Sequence, residues 1–192
     1  MKESTFAPRN LDMGAYIESG EPLSGILRTA DLPRISAGLA LDVDPATLAE
    51  ISWSAQGRQV PQRTGGPLLM LDLTAHAELA FECQRCLHAV TLPVSFQCTI
   101  RFVKDEATAA QLDTDAQEDV LALDRHFDLI ELIEDELIMA QPIIPRHEQC
   151  PTDVAALMNS EALDASPQAD QDGQSDRENP FAVLASLKKG RV

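Results

Sequence analysis

Two stretches of regular alternation, separated by a short cysteine-containing segment, constrain the fold of this chain more than any other feature. Every second residue in both stretches is apolar, and most residues between them are polar. The apolar positions are Leu69, Leu71, Leu73, Ala75, Ala77, Leu79 and Phe81, then Val90, Leu92, Val94, Phe96, Cys98, Ile100 and Phe102. A period of two is typical of strands with one buried face. The sequence therefore predicts a long antiparallel hairpin over residues 68–103 that reverses at Cys83-Gln-Arg-Cys86.

The net charge limits which surfaces can meet nucleic acid. The 192 residues carry a net charge of −16, which disfavours phosphate binding over the whole surface. Residues 104–136 hold 12 acidic and 2 basic side chains, whereas residues 1–103 hold 11 and 8. The near-neutral half is where a local basic surface for RNA or another partner is expected. Its candidate residues are Arg58, Arg63, Arg85 and Arg101, and the alternative is scattered surface charge.

The sequence is typical of a cytoplasmic protein. It contains no stretch of the ~20 apolar residues that a membrane span needs, and the first residues lack the apolar core of a signal peptide. Four cysteines in such a chain indicate reduced thiols or metal ligands rather than disulfides.

The remaining segments predict one α+β domain over residues 1–152. We expect an antiparallel sheet or partly open barrel covered by one helix at residues 128–141. Asp128 and Glu131 have the spacing of a capping box, and Pro142 stops the helix. The acidic residues within this helix are interpreted as a solvated face, and residues 104–124 as an acidic connection.

The C-terminal part predicts a tethered docking segment. Residues 153–178 are rich in Ala, Asp, Gln and Ser, a composition that predicts a disordered acidic linker. Residues 179–190 predict a short helix that folds only when docked, because about ten residues are marginal as a free helix. Phe181, Leu184 and Leu187 share one side of it and are the predicted docking anchors.

Cys83 and Cys86 are candidate metal ligands, because a C-x-x-C on a hairpin reversal resembles a metal-binding knuckle. A zinc site needs about four ligands. His147 and Cys150, which follow the helix stop, supply a second pair with suitable spacing and complete a Cys3His set. The alternative is that Cys83 and Cys86 are reduced thiols packed against the core.

The motifs of common enzymes are absent from the sequence. It has no Gly-rich phosphate loop, no G-x-S-x-G and no H-E-x-x-H, and it offers no set of nucleophile, base and orienting group. We therefore expect a protein that is not an enzyme and has no small-molecule substrate.

Four segments together resemble the bacterial large ribosomal RNA subunit accumulation protein family, YceD. They are residues 81–87 (FECQRCL), the helix and its stop at 128–145, the HEQC at 147–150, and NPFAVLASLK at 179–188. Their order and spacing cover roughly residues 20–190. Some relatives carry a denser cysteine cluster after the helix, whereas this chain has only His147 and Cys150, which favours a partial site.

The resemblance implies a ribosome-biogenesis factor needed for synthesis, processing or accumulation of large-subunit (23S) rRNA. Its partners would be that rRNA or its ribosomal proteins. The alternative is a thiol-based redox or zinc-responsive regulator, although the chain lacks the βαβ pattern around C-x-x-C that thioredoxin-type proteins have. Zinc is the candidate cofactor, and the alternative is a chain that holds no cofactor.

Overall fold

A computed structural model describes residues 6–114 and 116–152. Nine regular elements lie within these residues, together with two single 3-10 turns at Thr29–Asp31 and Pro45–Thr47. In chain order they are α1 (Met13–Ser19), β1 (Pro22–Leu27), α2 (Pro33–Ala37), β2 (Ile51–Val60), β3 (Leu68–Glu82), β4 (Ala89–Val103), α3 (Glu106–Asp113), β5 (Asp119–Ala122) and α4 (Leu129–Met139).

The predicted hairpin is confirmed and forms the centre of the sheet. β3 and β4 pair antiparallel from Leu69–Phe102 at one end to Glu82–Ala89 at the other. The strands follow the order β1-β2-β3-β4-β5, and the pairs β1–β2, β2–β3 and β3–β4 are antiparallel. The sheet is open, with β1 and β5 at its edges, so the α+β prediction holds in its open-sheet form.

One short strand departs from the predicted antiparallel arrangement. β5 pairs parallel with β4, from Ile100–Asp119 to Val103–Ala122, so the sheet is mixed. The segment interpreted as an acidic connection therefore contains both α3 and an edge strand. Four residues with no alternation of buried and exposed side chains are too short to give a periodic signal.

The apolar face of the sheet is covered by α1 as well as by the predicted helix. Gly57 on β2 lets α1 approach closely, because a Cβ atom there would lie 2.7 Å from the Ile17 Cα. The buried hydroxyl of Tyr16 donates to the Ala55 carbonyl at 2.8 Å. Met13, Tyr16 and Ile17 thereby join the aliphatic core formed by the alternating residues of β3 and β4.

The predicted helix forms as α4, with the expected cap. The Asp128 carboxylate accepts the backbone N–H groups of Ile130 at 2.9 Å and Glu131 at 3.0 Å. Leu129, Ile130, Ile133 and Leu137 are buried on its inner face. The interpretation of its acidic residues as a solvated face is wrong for Glu134, which is only 4% exposed.

Glu134 joins α4 to α2. Its carboxylate accepts the backbone N–H groups of Arg34 at 2.7 Å and Ile35 at 3.1 Å, and it pairs with the Arg34 guanidinium at 3.3 Å. These amides belong to the first turn of α2, which has no capping side chain of its own. Glu134 therefore supplies from another helix the acceptor that the start of α2 needs.

The linker at 153–178 and the helix at 179–190, with Phe181, Leu184 and Leu187, lie outside the described residues. Over the described ranges, none of the helices has the length and apolar character required to cross a membrane.

Replacing Glu134 tests its role between the helices. We expect Glu134→Ala to lower the free energy of unfolding by about 2–4 kcal/mol, because it leaves two enclosed amides without an acceptor. Glu134→Gln keeps one acceptor oxygen and should cost less. Denaturant titration measures both, with the exposed Glu131→Gln as a control expected to change stability by about 0.5 kcal/mol or less. Equal effects at positions 131 and 134 would contradict the assignment.

Candidate metal centre

The hairpin reverses through a tight turn that carries the first cysteine pair. The Cys83 amide donates to the His88 carbonyl at 3.0 Å, and the Leu87 amide donates to the Cys83 carbonyl at 2.8 Å. Leu87 closes this turn with a φ of 60°, in the left-handed region of backbone conformation that residues other than glycine rarely adopt. The turn places the Cys83 and Cys86 thiols on the same side of the hairpin tip as His147 and Cys150.

The chain returns to the tip after α4. The helix ends at Met139, and the prolines that follow prevent its continuation. The buried Pro145 accepts the Gln84 backbone N–H with its carbonyl at 2.9 Å, which holds the returning segment against the turn. His147 and Cys150 follow within five residues of this bond and therefore reach the first pair of cysteines.

Four potential ligand atoms meet at the tip, one each from Cys83, Cys86, His147 and Cys150, and all lie within 4.8 Å of one another. The Cys83 and Cys150 sulfurs are 3.9 Å apart, and the Cys86 sulfur is 3.5 Å from His147 Nδ1. Zinc bond lengths imply tetrahedral edges of about 3.8 Å between two sulfurs and about 3.6 Å between sulfur and nitrogen. The donor set is thus complete in number, and these two separations match the edges of a tetrahedral metal site.

The backbone of the tip favours a thiolate at Cys83. Burial by itself raises the pKa of this thiol, but backbone hydrogen bonds from Arg85, His147 and Cys86 lower it, and the pKa falls to about 5. Hydrogen bonds donated to sulfur stabilise the charged form, which is the form that binds metals. Burial raises the pKa of Cys86, so of these two thiols Cys83 is the one that loses its proton at lower pH and becomes able to bind a metal.

The fourth cysteine has a different environment. Cys98 lies on the apolar face of β4 and packs against the core. Burial, together with the nearby carboxylates of Glu136, Asp119 and Asp72, raises the pKa of its thiol to about 12. This thiol stays protonated at neutral pH and provides a reference for the three cysteines of the cluster.

The structure does not gather the four candidate arginines on one surface. Arg58 and Arg101 both lie level with Met70, which is thirteen residues before Cys83 and roughly 40 Å from the tip along the strand. Arg63 is exposed in the loop at that same end. Arg58 is paired with Asp72 at 2.5 Å, and the Nε of Arg101 is buried.

Of these four arginines, Arg85 is the one at the tip, and it contacts the cluster. Its Nε is 3.0 Å from the Cys150 sulfur, and its Nη2 donates to the His147 carbonyl at 3.1 Å. Sequence reasoning assigned Arg85 to partner binding and missed this contact. Its position between two candidate ligands in a C-x-x-C was the available signal.

Substituting the cysteines tests the cluster directly. If the four residues bind zinc, the purified reduced chain should hold about one zinc ion and lose thermal stability when a chelator removes it. Cys150→Ser should lower zinc retention and make the melting temperature insensitive to the chelator. Cys98→Ala is the matched control and should keep its zinc. Equal metal content in the two variants would show that Cys150 is not a ligand.

Comparison with known proteins assigns the chain to a family. The family model described as Large ribosomal RNA subunit accumulation protein YceD matches residues 71–188. This range covers the tip, α4 and the segment with His147 and Cys150, so the match includes all four candidate ligands. No solved structure matches the chain. Because the matched range is more than half of the sequence, the chain belongs to the YceD family of large ribosomal RNA subunit accumulation proteins.

Proposed function

We propose that this chain is a non-enzymatic ribosome-biogenesis factor that supports accumulation of large-subunit (23S) rRNA, and that zinc holds its binding tip together. The family supports the first part, because its description names the accumulation of this RNA. The Cys3His cluster at the hairpin tip supports the second. The cluster is the observation that carries the proposal, because it brings three thiols and one imidazole together at the tip of the hairpin.

Zinc suits these donors better than other common metals. Thiolate and imidazole ligands in tetrahedral spacing favour zinc, whereas magnesium and calcium select oxygen ligands. Four protein donors fill the coordination sphere, which is the pattern of structural rather than catalytic zinc. When bound, the ion would fasten the returning segment, including residues 141–152, to the tip of the hairpin.

The tip also exposes apolar side chains that the core does not use. Leu87 is 70% exposed, and Ile143 and Ile144 on the returning segment are 95% and 64% exposed. We call these three residues the tip surface. A left-handed leucine costs about 1–2 kcal/mol that a glycine would avoid. A strained and exposed leucine therefore favours a role in contact with a partner.

The charges favour a protein partner over bare RNA. Arg58 is paired with Asp72, and Arg85 donates to Cys150 and His147, so these two candidate phosphate contacts are already engaged. The net charge of −16 repels phosphate and attracts basic proteins. We propose that the tip surface binds a basic protein of the assembling large subunit, in the cytoplasm.

The tip surface is tested by complementing a deletion strain. We expect deletion to lower the ratio of large- to small-subunit rRNA and the wild-type gene to restore it. Leu87→Gly and Ile143→Ser should fail to restore the ratio although neither should destabilise the fold by more than about 1 kcal/mol, since they remove exposed side chains and glycine suits the left-handed position. Ile26→Ser, at a 63% exposed position on β1, is the matched control and should complement.

Two results would contradict this proposal. An unchanged rRNA ratio after deletion would remove the role in rRNA accumulation. Full complementation by both tip variants would show that the tip surface is not needed for this role. Crosslinking in cells identifies the partner, and large-subunit RNA crosslinked to the chain without a ribosomal protein would replace the protein partner with direct RNA binding.

A redox regulator is the second candidate, and one contact favours it. The Cys83 and Cys150 sulfurs lie 3.9 Å apart, close enough for hydrogen peroxide to oxidise the two thiols to a disulfide, with reduction of the peroxide to two waters and release of any bound metal. Zinc release and a Cys83–Cys150 disulfide at low peroxide, accompanied by a change in the rRNA ratio, would support this role. Retention of zinc under these conditions would reject it.

A further inference from the structure

We infer that Arg85 is a positioning residue of the metal centre. It holds the second ligand pair against the first and offsets the negative charge of the centre. This inference rests on the proposed zinc site and assigns a role within it to a residue that is not a ligand. The side chain lies between the two ligand pairs, because position 85 belongs to the Cys83–Cys86 turn and its donors reach the segment that carries His147 and Cys150.

The contacts of Arg85 define the geometry of the second pair. Nε donates to the Cys150 sulfur at 3.0 Å, while Nη2 reaches the carbonyls of His147 at 3.1 Å and Glu148 at 3.4 Å. One planar guanidinium thus contacts a ligand atom and two backbone carbonyls of the same segment. Together with the bond between Gln84 and Pro145, it holds His147 and Cys150 facing the first pair.

The charge of Arg85 matches what the centre requires. Three thiolates and a neutral imidazole around Zn²⁺ carry a net charge of −1, within a protein that is already strongly acidic. A guanidinium directed at one of the sulfurs brings the local sum to zero. An N–H donated to a thiolate also withdraws electron density from the sulfur, which makes the sulfur less nucleophilic.

Arginine performs this task in a way that lysine cannot. The rigid fork of the guanidinium directs several N–H groups in one plane, so Nε can bind sulfur while Nη2 binds carbonyls. A lysine ammonium would keep the charge but reach only part of this set. The comparison of Arg85→Lys with Arg85→Gln therefore separates the contribution of charge from that of geometry.

Two measurements on the full chain test this role. The first is zinc affinity, from competition with a chromophoric chelator. A charge-assisted hydrogen bond predicts that Arg85→Gln lowers the affinity about 10- to 100-fold and that Arg85→Lys lowers it less. Arg146→Gln is the matched control, because Arg146 lies beside His147 and Glu148 in the same surface depression, and it should retain wild-type affinity.

The second measurement is the alkylation rate of each cysteine in the zinc-loaded protein, followed by mass spectrometry. Loss of the charged guanidinium donor should accelerate alkylation of Cys150 in Arg85→Gln while Cys83 and Cys86 keep their wild-type rates. A variant that merely loosened the tip would expose all three thiols together. Selective acceleration at Cys150 thus supports the hydrogen bond, and uniform acceleration overturns it.

The outcomes distinguish this inference from the proposal beneath it. A wild-type chain that holds no zinc after reducing, zinc-supplemented purification overturns the zinc site and the role of Arg85 with it. A wild-type chain that binds zinc, combined with Arg85→Gln of unchanged affinity and unchanged Cys150 reactivity, overturns the role of Arg85 alone.

Discussion

The register between β3 and β4 is the constraint on which the rest of the structure depends. Because the side chains of a strand alternate between faces, a slip of one residue would move the whole aliphatic set from the core to solvent. Burial of these alternating apolar residues fixes the register from the pair Leu69–Phe102 to the pair Glu82–Ala89. The same register determines where the hairpin turns, and so places Cys83 and Cys86 at the tip.

The tip and the helical layer are connected through one short segment. α4 packs on the core through Ile133 and Leu137 and holds α2 through Glu134. The prolines after α4 direct the chain back to the turn, where Pro145 binds Gln84 and the second ligand pair follows. Core packing thus delivers both halves of the Cys3His cluster to one place.

Patterns that repeat or pair locally in the sequence were sufficient to predict the hairpin, the cap at Asp128 and the four candidate ligands. Features that depend on contacts between distant elements were not predictable in this way. Glu134 looks like any acidic helix residue until α2 is placed against it, and β5 has too few residues to show a period. Arg85 appeared free to bind a partner because its acceptors lie more than sixty residues away.

X-ray absorption at the zinc edge of the purified, reduced protein tests the central claim of a metal-held tip most directly. The account predicts a first shell of three sulfur atoms at about 2.3 Å and one nitrogen at about 2.0–2.1 Å. The Cys150→Ser protein should lose one sulfur from that shell. A wild-type shell made only of nitrogen and oxygen, or a wild-type protein without zinc, would contradict the claim that a metal holds the tip.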